Sequence, residues 1–214
     1  MNKLYDNPIS PLRVILGLVL IFFGFLNLSF GFLPFLEPYS LLLGSLIAFL
    51  LTYSLKGTAH LFSKPENPFR NFFLFLLAAF VLSFVTSFLL VLILKLDLKA
   101  NDLSGNIPWL QLPFMLLGEE LFSFYVLIIS LNFLQKNPQR MIIATLLSAF
   151  VFAIFHMLTY WNGSFLLTLV HVLLLQGCAR ILFNAAGVRS NSLYVPWLIH
   201  IVFDLITLGA ISFL

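Results

Sequence analysis

The chain has 214 residues, 61% hydrophobic and 9% charged, with 26 Phe and a formal net charge of +3. A soluble domain carries roughly 25% charged residues, so this composition, with mean hydropathy +1.07, excludes a water-soluble globular fold. The apolar runs are too long for the alternating strands of a β-barrel. A single cysteine, Cys178, excludes an internal disulfide and a cysteine metal cluster. The positive charge is of the kind left on cytoplasmic loops and does not suggest nucleic acid.

The expected class is therefore all-α, a polytopic transmembrane helical bundle of about seven spans. Residues 1–13 are polar enough to lie outside the bilayer. The run 14–36 has the positive flank of a signal peptide, but it is too long for an h-region and no A-x-A-like site ends it. It reads as an uncleaved first span. Gly17, Gly24 and Gly31 recur every seven residues and form one stripe, which predicts close packing against a neighbouring helix. A second span covers 39–55. The polar connection 56–70 follows and carries His60, read as a solvated loop histidine. A third span covers 71–94, and a polar loop with Gly105 and Pro108 as turn signals covers 95–108. Span four is 109–134 and span five 141–160, the latter closed by the aromatic anchor Trp161 and a turn at Asn162 and Gly163. Span six is 164–183, the loop 184–192 follows, and span seven is 193–214.

Charge sets the orientation. With a cytoplasmic N-terminus, Lys3, Arg13, Lys56, Lys64, Arg70, Lys136, Arg140, Arg180 and Arg189 fall inside. Lys95 and Lys99 fall outside, beside Asp97 and Asp102. Seven spans then satisfy the positive-inside rule loop by loop.

Few ionisable side chains remain within the spans: Glu119 and Glu120 in four, His156 in five, His171 and Arg180 in six, His200 and Asp204 in seven. A charged carboxylate at mid-bilayer costs about 2.5–3.5 kcal/mol on insertion scales. Two side by side require partners or protons, and such groups face a bundle interior or water. Arg180 is placed near the cytoplasmic end, where it can snorkel. His171 reads as polar glue between helices. Glu119 and Glu120 point about 100° apart, so one can face a cavity and the other a neighbouring helix. His200 and Asp204, four residues apart, share one face.

Glu119-Glu120-Leu121-Phe122-Ser123-Phe124, then Phe152-Ala153-Ile154-Phe155-His156, then His200-Ile201-Val202-Phe203-Asp204 resemble the three motifs of the CPBP family. These are the CAAX protease and bacteriocin-processing proteins, Abi-type intramembrane glutamic proteases. The flanks Gly118, Gln176-Gly177 and 189–193 are also similar, and the resemblance covers about 109–208. It divides the chain into N-terminal spans and loops, 1–108, and a CPBP-like catalytic helix core, 109–214.

The resemblance implies catalytic roles for Glu119, Glu120, His156, His200 and Asp204. Glu119 and His156 would activate a water, and the third motif would hold the oxyanion. His200 can donate to that oxyanion, with Asp204 orienting it through the other ring nitrogen, by analogy with a triad acid. The implied reaction is hydrolysis of a peptide bond by an intramembrane endopeptidase, without metal or cofactor. The implied partners are membrane lipid and a membrane-associated peptide, not nucleic acid. The small size looks bacterial and the location is a cell membrane. Family membership suggests bacteriocin processing or self-immunity.

One departure stands out. The family's first motif usually ends in Arg, where this chain has Phe124. Without that Arg, Glu120 must find another donor or keep its proton, and burial favours the neutral form. Three other readings use the same side chains. They are a zinc site, which lacks H-E-x-x-H, a proton-relay or transport site, and a non-catalytic immunity or binding protein on the CPBP fold. On these span limits His156 lies about 6 Å from the outer end of its helix, while Glu119 and His200 lie deeper. The three meet only if helices tilt, shift or start later.

Overall fold

The computed structural model describes residues 1–93, 95–96, 99 and 108–211, with side chains to 208. Among these residues every regular element is helical. The helices are α1 (Pro11–Phe30), α2 (Ser40–Ala59), α3 (Pro68–Phe88), α4 (Leu112–Phe133), α5 (Arg140–Phe155), α6 (Phe165–Val172), α7 (Cys178–Ser190) and α8 (Tyr194–Ile211). A π turn, Leu173–Gly177, joins α6 and α7 into one continuous rod, Phe165–Ser190. Another, Leu89–Ile93, extends α3. Seven rods thus match the seven apolar segments. Five are long and apolar enough to cross a membrane, whereas α5 and α8 are shorter apolar helices. The chain is a helical membrane bundle.

Local chemistry sets the rod ends. Pro11 and Pro68 begin α1 and α3, where a missing N–H costs nothing. Gly31 ends α1 in the left-handed region, φ 62°, with its N–H bonded to the Asn27 carbonyl. Two members of the glycine stripe do pack closely. A Cβ on Gly24 would lie 2.5 Å from the Ser40 carbonyl oxygen, and one on Gly17 would lie 2.2 Å from the Tyr125 hydroxyl. Gly31 serves as the cap instead.

α4 is the hub. Residues 120–132 are all buried, and the helix is apolar on every side, as a central helix must be. It packs on α2, α5, α7 and α8. α3 is the most lipid-exposed rod, bearing Phe69, Phe73, Leu77 and Phe84 on its outer face.

The connections gather at two ends. At one end, the first residues, the turn 60–67, the turn 134–139 and the turn 191–193 are tied together. The Asn2 N–H donates to Asn191 Oδ1 at 2.8 Å, Arg140 pairs with Asp6 at 2.5 Å, and the Glu66 N–H donates to the Ser190 carbonyl at 2.8 Å. At the other end lie the turn 31–39, the start of α4 and the turns 156–164. His60 sits at the first end in a short 3-10 turn, His60–Phe62, half-buried.

Two sequence expectations about boundaries are corrected. The sixth rod runs to Ser190, not 183. Its polar residues Asn184 and Ser190 are buried and hydrogen-bonded within the bundle rather than forming a loop. The fifth helix stops at Phe155, five residues early, with His156 as its C-cap. The expected turn at Gly105 and the charges Asp97 and Asp102 lie outside the described residues.

Candidate active site

Neighbouring residues on α4 project about 100° apart. Glu119 therefore reaches a cavity while Glu120 turns into the protein. The Glu120 side chain is 0% exposed and that of Glu119 is 19% exposed. The cavity, about 950 Å³, is lined by Glu119 and His156 together with Phe25, Tyr39, Met115 and Phe155.

Arg180 is the partner of Glu120. Its Nη2 donates to Glu120 Oε1 at 2.5 Å, both side chains being fully buried. The snorkelling expectation is thereby corrected. Because α7 continues to Ser190, Arg180 lies about 15 Å from that helix end and points inward. It also rests on aromatic faces, 4.2 Å from the Phe152 ring centroid and 5.1 Å from that of Phe183, a favourable place for a guanidinium. Of the two alternatives the sequence left for Glu120, another donor is the one found, and it comes from α7. Phe124, where the resemblance calls for Arg, packs on Gly187. A Cβ there would meet the Phe124 ring at 2.3 Å.

Glu120 Oε1 also accepts from His200 Nδ1 at 2.8 Å. A carboxylate held by a guanidinium can only accept, so Nδ1 carries a hydrogen and Nε2 faces away from Glu120. There it lies 3.8 Å from Glu119 Oε2 and 3.7 Å from Asp204 Oδ2. The acid that orients His200 through its second nitrogen is Glu120, not Asp204 as the sequence suggested. Asp204 lies on the Nε2 side, beyond direct hydrogen-bonding reach.

His156 is fixed in the same sense. Its Nδ1 donates to the Phe152 carbonyl at 2.9 Å, which aims Nε2 at Glu119 Oε2, 3.9 Å away. Its ring lies between Phe152 and Tyr160, with centroids 4.4 and 6.2 Å distant. One carboxylate oxygen of Glu119 thus has two imidazole Nε2 atoms at nearly equal range, each separation one that a single water can bridge.

The structure brings together all five expected residues and adds Arg180. The early stop of α5 and the late start of α4, at Leu112, remove the depth mismatch. The available signal for Arg180 was that no other Lys or Arg lay inside an apolar segment. A polar triangle went unread. Ser123, Ser148 and Asn184 are all fully buried, with contacts of 2.9, 3.2 and 3.1 Å between them. It joins α4, α5 and α7 one turn from the Glu120–Arg180 pair. Nothing in spacing alone marks it. His171, read as glue, is buried against the Tyr160 ring, centroids 4.9 Å apart, outside the Glu119 cluster. Among the described residues no group of three or more His, Cys, Asp or Glu side chains forms a potential metal site.

Residues 107–206 match the family model Rce1-like, described as type II CAAX prenyl endopeptidase Rce1-like. No curated protein and no solved structure matches the chain. The match spans just under half of the 214 residues and supports an intramembrane endopeptidase in general terms. The matched residues 107–206 hold Glu119, Glu120, His156, Arg180, His200 and Asp204 alike, so the whole polar cluster falls in the part of the chain that is similar to the Rce1-like CAAX prenyl endopeptidase model.

Proposed function

We propose that the protein is a metal-free glutamic endopeptidase acting on a membrane-associated peptide. The observation that carries this reading is the pairing of two Nε2 atoms, at 3.8 and 3.9 Å, around one oxygen of the cavity-facing Glu119. Glu119 acts as general base on a water steered by His156. The water oxygen bonds to the scissile carbonyl carbon and its proton passes to Glu119. The carbonyl oxygen becomes an oxyanion within reach of His200 Nε2. Glu119 returns the proton to the amide nitrogen as the carbon–nitrogen bond breaks.

His200 serves the oxyanion only as an imidazolium, because Nδ1–H is already committed to Glu120 and a neutral ring would present a lone pair. Three carboxylates, of Glu119, Glu120 and Asp204, lie within 4 Å of the ring nitrogens and face that cation. One oxyanion donor of this kind is worth about 3–4 kcal/mol of barrier. Asp204 supports the charge without holding the ring.

The test uses purified wild-type protein and the Glu119→Gln and His156→Ala variants in the same membrane or detergent. Cleavage of a membrane peptide is expected to fall at least 100-fold in each variant at unchanged expression, and chelator is expected to leave wild-type cleavage intact. Activity retained in both variants sinks the hydrolase reading. A bacteriocin-related role, in processing or self-immunity, is the biological setting that the family resemblance supports. A non-catalytic immunity protein on the same fold is the second reading. Protection that survives Glu119→Gln would establish it.

A further inference from the structure

We infer that the catalytic cavity opens on the non-cytoplasmic face of the membrane, so that the substrate is a peptide segment presented there. This rests on the endopeptidase reading for the word substrate, but the access route stands on geometry and charge alone. The cavity wall is built from the end of α1 and the turn after it, from Tyr39, and from Gln111, Leu158 and Thr159. All belong to the bundle end that carries the 31–39 and 156–164 turns.

Charge is distributed oppositely. Lys3, Arg13, Lys56, Lys64, Arg70, Lys136, Arg140 and Arg189 all sit on segments at the other end, the one tied together by the Asn2–Asn191, Asp6–Arg140 and Glu66–Ser190 contacts. Eight cations in short loops against Lys95 and Lys99 orient that end to the cytoplasm. Lys99 lies at the cavity end, its Nζ donating to the Thr159 carbonyl at 2.8 Å. The acidic and basic side chains that line the cavity itself are Glu37, Glu119 and His156.

The wall is mainly aromatic and aliphatic, with Phe35 at the mouth 90% exposed. It suits a peptide with apolar side chains lying at the interface. A prenylated C-terminal tail, anchored from the cytoplasm, would meet the basic end and not the opening.

The test is accessibility to a membrane-impermeant maleimide in intact cells, with Cys178 replaced by Ala. Single cysteines are placed at the mouth (Phe35→Cys), in the cavity (Met115→Cys) and in the turn after α4 (Gln135→Cys). The first two are expected to label from outside, and the third only after the membrane is permeabilised. Labelling of Gln135→Cys in intact cells, with Phe35→Cys protected until permeabilisation, overturns the inference. Labelling of permeabilised cells reports each variant's presence. The outcome does not depend on cleavage: an outward-facing cavity in a protein indifferent to Glu119→Gln would sink the hydrolase reading and leave the access route standing.

Discussion

Removing Arg180 strips Glu120 of its counter-charge at a position with no solvent exposure. Breaking one partner of such a buried pair destabilises by about 3–5 kcal/mol. Arg180→Leu is therefore expected to unfold well below wild type in a detergent melt, and to lose activity because Glu120 no longer fixes His200. Replacing both members, Arg180→Met with Glu120→Leu, is expected to recover most of the stability, since apolar pairs of similar volume often match buried ion pairs. It is not expected to recover cleavage. A double variant that cleaves normally would show that the pair is only structural. At this scale the sequence was informative about which ionisable groups cluster and poor about their holders. Glu119, His156 and His200 are conspicuous because charge is rare in these segments. The partner of Glu120 was not, because it stands 60 residues away on a helix whose length had been underestimated.

Helix contacts without side chains between them make sharp predictions about elements. α1 and α2 approach at Gly24, whose carbonyl also accepts from the Ser40 hydroxyl at 2.8 Å. Gly24→Val forces backbone apart. A cost of about 1–3 kcal/mol is expected, visible as a lower melting temperature, and because α1 and α2 wall the cavity, KM should rise with it. Asn184→Leu attacks the Ser123–Ser148–Asn184 triangle. It takes one partner from each of two hydroxyls that still bond to one another, and is expected to cost about 0.5–1.5 kcal/mol. The glycine stripe was legible because its spacing is regular. The ends of α5 and α7 were not. The run Asn184-Ala185-Ala186-Gly187 has loop-like composition, and only tertiary partners for Asn184 reveal that it stays helical.

Across the whole molecule, the polar cluster and most of the apolar cavity wall come from different halves. The side chains proposed to react lie within 107–206, whereas Phe25, Leu28, Phe30 and Tyr39, from the N-terminal part of the chain, wall the cavity. Phe25→Ala and Leu28→Ala are thus expected to change KM several-fold between two test peptides while kcat moves little, the signature of lost ground-state binding. Steady-state kinetics on the pair of peptides decides this, and a drop confined to kcat would contradict it. Hydropathy made the number of rods and the alternation of loops readable. It carries no information on which faces converge, and the meeting of α4, α5, α7 and α8 around the adjacent carboxylates Glu119 and Glu120 is set by tertiary packing.

The proposed general base sits on the rod most enclosed by its neighbours, and that couples the proposed chemistry to global stability. Amides along the buried stretch 120–132 can exchange with deuterium only when the whole bundle opens. A heating curve of turnover should therefore break at the same temperature as the loss of helical signal. An enzyme whose reacting carboxylate rode on a peripheral lid would fall silent earlier, while still folded. Here the carboxylate proposed to react rides on the central helix, so inactivation and collapse should be a single event.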